Sequence, residues 1–169
     1  MTTWLARGIV FAAGMVLLRL VQGTLINTYP TKAGIISPVL MVIFAAAALA
    51  WAYLDGASDA RTNPDPDRRL QLAQRWLAAG LLAGVLSGFV AWLISLVYRG
   101  IYADGVITET TVFAAFTALT IFLPAMAAVA LGRWKVDRTR TAKPARVDRD
   151  GAAVDVFDAV HEDTQKTPI

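Results

Sequence analysis

The chain has 169 residues, no cysteine, one histidine and a formal net charge of +3, and 56% of its residues are hydrophobic. The lack of cysteine excludes a disulfide framework, a thiolate nucleophile and a cysteine-ligated metal site. The hydrophobic residues are gathered in long blocks instead of alternating with charges, which is typical of a membrane protein and not of a soluble domain.

Four of these blocks are long enough to cross a bilayer, and we take them as candidate spans. They are Trp4 to Ile26, Gly34 to Leu54, Trp76 to Tyr98, and Thr111 to Leu131. Because lipid offers no hydrogen-bond partner to the backbone, each block is predicted to form an α-helix. The sequence therefore predicts an all-α protein with a four-helix transmembrane domain over residues 1–135 and a mostly disordered tail over residues 136–169.

The positive charges are distributed unevenly among the predicted loops. If both termini and the loop 55–75 lie on one side, that side carries 13 lysines and arginines, whereas the other side has only Lys32 and Arg99. Cytoplasmic loops are enriched in these residues. We therefore expect a multi-pass protein of the plasma (inner) membrane with both termini in the cytoplasm. The basic charge lies next to a span end, where orientation and anionic lipid explain it without a nucleic-acid partner.

Arg19 is a charge inside the first span, about 22 Å along a helix that starts at Trp4. An arginine at the centre of a span costs roughly 2.5 to 3.5 kcal/mol, so a partner must compensate it. Gln22 lies on the same helical face and is expected to share this contact. Glu109, at the mouth of the fourth span, is the candidate partner in an intramembrane ion pair. Arg19 is either a structural residue that fixes helix packing or a contact for lipid headgroups or a partner subunit.

Gly80, Gly84 and Gly88 recur every four residues on one face of the third span. Glycine weakens a helix, so a row of three indicates close approach by another helix. That helix belongs either to this chain or to a partner subunit.

Proline and capping residues predict where the helices begin. Ser37 with Pro38 suits an N-cap and a first helical residue, or, if the second helix starts earlier, Pro38 lies in its first turn. The third helix is predicted to begin near Pro66, with Asp65 as its cap, and to project roughly two turns into the cytoplasm before Trp76. Thr108 is the predicted cap of the fourth helix.

The C-terminal tail contains a short amphipathic stretch, residues 151–164. Val156, Phe157 and Val160 are apolar at helical spacing and form a candidate partner-binding surface. The stretch is either disordered or docks as a helix in a partner's groove.

The sequence contains no recognisable catalytic, cofactor-binding or metal-binding motif, so we do not expect an enzyme. Small proton-coupled exporters with four helices carry an acid inside a span, whereas the acids of this chain are predicted to lie in loops, at span ends or in the tail. A small homo-oligomeric four-helix transporter of small molecules nevertheless remains the alternative function.

Two segments, WLARGIVFAAGMVLLRLVQGTLIN from Trp4 to Asn27 and RWLAAGLLAG from Arg75 to Gly84, carry a family resemblance. Residues 1–135 resemble a family of small actinobacterial four-helix membrane proteins that is often labelled drug/metabolite-transporter-like. Within that family the chain resembles accessory subunits of mammalian-cell-entry (MCE) lipid importers. The resemblance implies a noncatalytic role without cofactors, with membrane lipids and the permease and ATPase subunits of an importer as partners.

Overall fold

The computed structural model describes residues 3–98 and 105–141. The α-helices are α1 (Thr3–Thr28), α2 (Ala33–Thr62), α3 (Leu72–Ser95), α4 (Val106–Thr108) and α5 (Ala114–Thr141). A π-helical turn, Glu109–Phe113, joins α4 to α5, so these three pieces form a fourth long helical segment. Four helical segments are long and apolar enough to cross a membrane, and the described residues contain no strand. The predicted all-α fold with four candidate spans is therefore confirmed.

The helices belong to one compact unit, Met1–Thr139, whose interior combines small and aromatic side chains. Ala48 of α2, Ala83 of α3 and Ala125 of α5 are fully buried. The ring of Phe11 lies among those of Phe44, Trp51 and Trp76, with ring centroids 5.8 to 5.9 Å apart. Alanine lets the helix backbones approach, and the aromatic rings fill the space between them, with each ring pair contributing about 0.5 to 1.5 kcal/mol beyond its buried area.

The glycines of α3 pack against the chain's own fourth helical segment. A Cβ at Gly80 would lie 3.1 Å from the carbonyl oxygen of Ala118, and one at Gly84 would overlap the backbone of Ala114. Gly88 has the same relation to the backbone of Glu109. These contacts correspond to the internal-packing alternative, and all three glycines are buried within the chain instead of forming an open seam.

A second close approach joins α2 to α5, and no pattern in the sequence predicted it. A Cβ at Gly56 would overlap the backbone of Val129, and a Cβ at Gly132 would lie 2.5 Å from the carbonyl oxygen of Tyr53. The two glycines come from different helices, so no row of small residues marks the contact in either segment.

Of the two predicted starts of the second helix, the structure agrees with the earlier one, within one residue of Gly34, and not with a start at Ser37. Helix α2 begins at Ala33, after a short 3-10 turn, and Pro38 lies inside the helix. Pro38 is the sixth residue of α2, beyond the first turn, so it leaves one carbonyl without its intrahelical hydrogen bond, a loss that membrane helices tolerate where neighbouring groups compensate it. The Ser37 side chain is therefore available for a contact with α1.

The predicted start of the third helix near Pro66 is also wrong. Pro66–Arg68 form a separate 3-10 turn. Within it, the backbone N–H of Asp67 donates to the Asp65 carboxylate at 3.1 Å. The backbone then becomes extended at Arg69, and α3 starts only at Leu72. Asp65 is a cap, as predicted, but it caps the 3-10 turn and not α3.

Thr108 does not cap the fourth helix, because it already lies within a helix. The segment starts one turn earlier, at Val106, after Gly105 with a φ of 137°. Only glycine adopts that backbone conformation readily, so Gly105 sets the point at which the chain enters the helix.

Candidate functional site

Arg19 and Glu109 form a two-pronged ion pair inside the bundle. Nη1 of Arg19 lies 2.5 Å from Oε2 of Glu109, and Nη2 donates to Oε1 at 3.0 Å. The side chains are only 12% and 6% exposed, so the pair is shielded from solvent and lipid. The guanidinium carbon also lies 4.1 Å from the centre of the Phe113 ring, an additional favourable contact for the cation.

The π-helical turn and α3 together position Glu109. Glu109 is the first residue of the turn, and turns of this type are frequent where a helix places a functional side chain. Gly88 of α3 lacks a side chain where the Glu109 backbone approaches, so the carboxylate can reach inward to α1. Glu109 lies near the start of the fourth helical segment, as predicted, but neighbouring helices bury it to 95%, which the sequence did not indicate.

Gln22 does not share the contact of Arg19. Its Nε2 donates to Oγ of Ser37 at 2.8 Å, which links α1 to α2. The structure therefore brings Arg19 together with Glu109 and Gln22 together with Ser37, in two separate polar contacts.

At the opposite end of the bundle, Asp59 is the centre of a hydrogen-bond network that joins α2, α5 and the loop before α3. Its carboxylate accepts from Nη2 of Arg133 at 2.6 Å and from the backbone N–H of Leu70 and the Asn63 amide, each at 3.1 Å. The Asp59 side chain is 1% exposed. Arg133 also donates to the carbonyl oxygen of Leu70 at 2.8 Å, so the network fixes the end of the loop.

Arg69 extends this network to the next turn of α5. Its Nη2 donates to Asp137 at 2.6 Å, and its Nε donates to the carbonyl oxygen of Asn63 at 3.4 Å. Arg69 therefore binds a carboxylate of the chain itself, whereas Arg68 is 84% exposed beside Asp65.

A polar pocket of about 230 Å³ adjoins the network. Arg7 lies on its wall and pairs with Asp55 at 2.9 Å, and the guanidinium carbon of Arg7 lies 5.4 Å from the centre of the buried Trp76 ring. Arg75 and Asp59 also line the pocket. We call this cavity the Arg7–Arg75 pocket.

Sequence reasoning missed this charged end because it treated residues 55–75 as a loop. One signal was present: Asp55 and Asp59 are four residues apart and continue the helical spacing of the second span. Two acids on one helical face immediately after an apolar run indicate that the helix continues and that arginines of neighbouring helices contact it.

The candidate docking residues Val156, Phe157 and Val160 lie outside the described residues, so their helix stays a prediction. No protein-family model matches the chain, and no curated protein matches it in sequence.

Proposed function

We propose that this chain is a noncatalytic accessory subunit of an inner-membrane complex, an MCE-type lipid or fatty-acid importer, and that it binds partner transmembrane helices to stabilise or regulate the transporter. The resemblance of its membrane segments to the mycobacterial lipid-uptake coordinator LucB supports this choice of complex. The proposed topology places both termini in the cytoplasm, as the distribution of lysine and arginine favours.

One observation carries the proposal: the main polar groups of the apolar segments bind one another within the chain. Arg19 is engaged by Glu109, and Gln22 by Ser37. A proton-coupled transporter needs an intramembrane acid that exchanges protons or cations during its cycle. Glu109 would first have to leave a two-pronged contact with an arginine, and breaking such a pair is costly in apolar surroundings. This arrangement favours a structural role over autonomous transport.

The partner contact is expected on the outward surface of α2. This helix has the least covered apolar segment of the four, and its Ile35, Val42 and Ile43 are 61% to 69% exposed. Exposed alanines one turn further along α2, Ala46 and Ala47, allow another helix to approach closely. The glycines of α3 are already covered by the fourth helical segment, so the proposed docking surface shifts from α3 to α2.

Co-purification from native membranes tests the proposal. A tagged full-length chain solubilised in mild detergent should recover a permease and an ATPase of a lipid importer. Recovery of the chain alone, together with solute flux after reconstitution in liposomes, would instead establish the homo-oligomeric transporter. Removal of residues 151–169 tests the tail separately, because unchanged partner recovery would eliminate the docking helix.

Site-directed photo-crosslinking locates the docking surface. A photoreactive side chain at Val42 should yield adducts with the permease, whereas one at Leu81 of α3, 48% exposed, serves as the matched control. Both positions are exposed, so neither replacement should perturb the bundle. Adducts from position 81 and none from position 42 would show that the α2 assignment is wrong.

A further inference from the structure

The Arg7–Arg75 pocket carries an excess of positive charge. Asp59 on its wall already accepts hydrogen bonds from Arg133, Leu70 and Asn63. Asp55 pairs with Arg7, and within residues 3–98 and 105–141 no ion pair engages Arg75. Two arginines therefore face one available carboxylate, which leaves one positive charge in the pocket.

The pocket also contains a hydrogen-bond donor without an acceptor. Nη2 of Arg7 lies 2.9 Å from Oδ2 of Asp55, and this carboxylate oxygen is itself buried without a hydrogen-bond partner among the described residues; Nη1 of Arg7 is likewise buried and has no acceptor there. Leaving a buried donor unsatisfied is unfavourable, and for a charged group the penalty is larger. A bound anion would satisfy this nitrogen and balance the positive charge at once.

The position of the pocket along the helices points to the surface of a membrane. Arg7 follows Trp4 at the start of the α1 apolar run, Asp55 directly follows the apolar run of α2, and Trp76 opens that of α3. These boundaries coincide with the level at which hydrocarbon gives way to headgroups. Leu70 and Leu72 add apolar surface to the pocket wall.

We propose that the Arg7–Arg75 pocket binds the phosphate of an anionic phospholipid headgroup. Nη1 of Arg7 and the guanidinium of Arg75 donate to the phosphate oxygens, because arginine matches phosphate geometry with paired N–H groups. The hydroxyl of Ser58, also on the wall, is placed to contact a polar headgroup such as glycerol. The volume of about 230 Å³ exceeds that of several water molecules at ~30 Å³ each, which leaves room for a phosphoglycerol group. This lipid site does not depend on the proposed partner complex.

Lipid retention by the full-length chain tests the site. The protein is reconstituted in nanodiscs that contain phosphatidylglycerol and phosphatidylcholine, transferred to detergent, and analysed by native mass spectrometry for bound lipid. The wild-type chain should retain phosphatidylglycerol in preference to phosphatidylcholine. Arg75→Gln should weaken this retention about tenfold, the effect of losing one charge-assisted contact of ~1.4 kcal/mol. Arg68→Gln removes the same charge from the exposed turn nearby and should leave retention unchanged.

Asp55→Asn provides a test of opposite sign. It removes the carboxylate that competes for Arg7, so it should strengthen phosphatidylglycerol retention, and a gain cannot arise from misfolding. Equal loss in Arg75→Gln and Arg68→Gln, or weaker binding in Asp55→Asn with its thermal stability intact, would overturn the proposal. Competition by glycerol phosphate in solution distinguishes the source of the phosphate. If glycerol phosphate fails to displace phosphatidylglycerol, the ligand is a lipid. If it competes at low millimolar concentration, and this competition disappears in Arg75→Gln, the phosphate site is supported but belongs to a soluble ligand.

Discussion

The two ends of the bundle carry buried charge in different ways. Arg19 and Glu109 form a closed pair in which both prongs of the guanidinium are used on one carboxylate. At the other end, Nη2 of Arg7 pairs with Asp55, whereas Nη1 has no hydrogen-bond partner among the described residues and lies beside the Arg7–Arg75 pocket. A closed pair contributes to folding and specificity, whereas an incomplete one leaves a donor for a ligand. This difference, and not the number of charges, separates the structural end from the candidate binding end.

The largest expected effect tests whether the closed pair is structural. Arg19→Leu should destabilise the bundle by about 3 to 5 kcal/mol, because it leaves the buried carboxylate of Glu109 uncompensated. The double variant with Glu109→Leu should recover most of this loss, since it removes both charges. Unfolding monitored by circular dichroism during denaturant titration in detergent measures the difference. If the double variant is as unstable as the single one, the pair does not behave as a closed unit.

The second prediction concerns the network at the other end. Asp59→Asn retains the shape of the side chain but removes its charge, so the contacts with Arg133 and Leu70 weaken by about 2 to 3 kcal/mol in total. The loop before α3 should then exchange its amide hydrogens faster, as hydrogen–deuterium exchange would reveal. Asp67→Asn, on an exposed acid of the same loop, is the control and should change neither stability nor exchange. Faster exchange in both variants would show that Asp59 stabilises the loop no more than an exposed acid does.

The contrast between the two ends also explains what the sequence could predict. A lone arginine within an apolar run needs a compensating group, and Glu109 was a candidate partner near the start of the fourth span. The pairing thus followed from the energetic cost of one charge. What could not be derived was the burial of Glu109, because it depends on the π-helical turn and on the missing side chain of Gly88.

At the other end, the sequence did not predict that the second helix continues past its apolar run, because charged residues are as common in loops as in helices. The apolar run ends at Leu54, yet α2 continues to Thr62. Asp55 and Asp59 are stabilised there by Arg7 and Arg133, which come from distant parts of the chain. Long-range pairing of this kind leaves only the four-residue spacing of the acids as a local signal.

The glycines illustrate a further limit of the sequence. Their spacing predicts a close helix contact, but it does not identify the neighbouring helix. Gly84→Ala should cost about 1 to 3 kcal/mol, because the added methyl overlaps the backbone of Ala114, which cannot rotate away. Gly34→Ala is the matched control, since nothing lies within 4 Å of its Cβ position, and it should be neutral or slightly stabilising. Thermal unfolding in detergent compares the two, and equal effects would contradict the backbone contact.

The smallest effect is expected where α1 and α2 meet through neutral groups. Ser37→Ala removes the acceptor for Gln22 and should cost only about 0.6 kcal/mol, a typical value for a hydrogen bond between membrane helices, whose separated state also finds partners for its polar groups. Val39→Ala, on an exposed side chain of the same helix, controls for changes in α2 itself. The same denaturant titration used for Arg19→Leu measures both. A loss from Ser37→Ala as large as that from Arg19→Leu would mean that neutral contacts hold this bundle as strongly as its closed ion pair, because burial then matters more than charge.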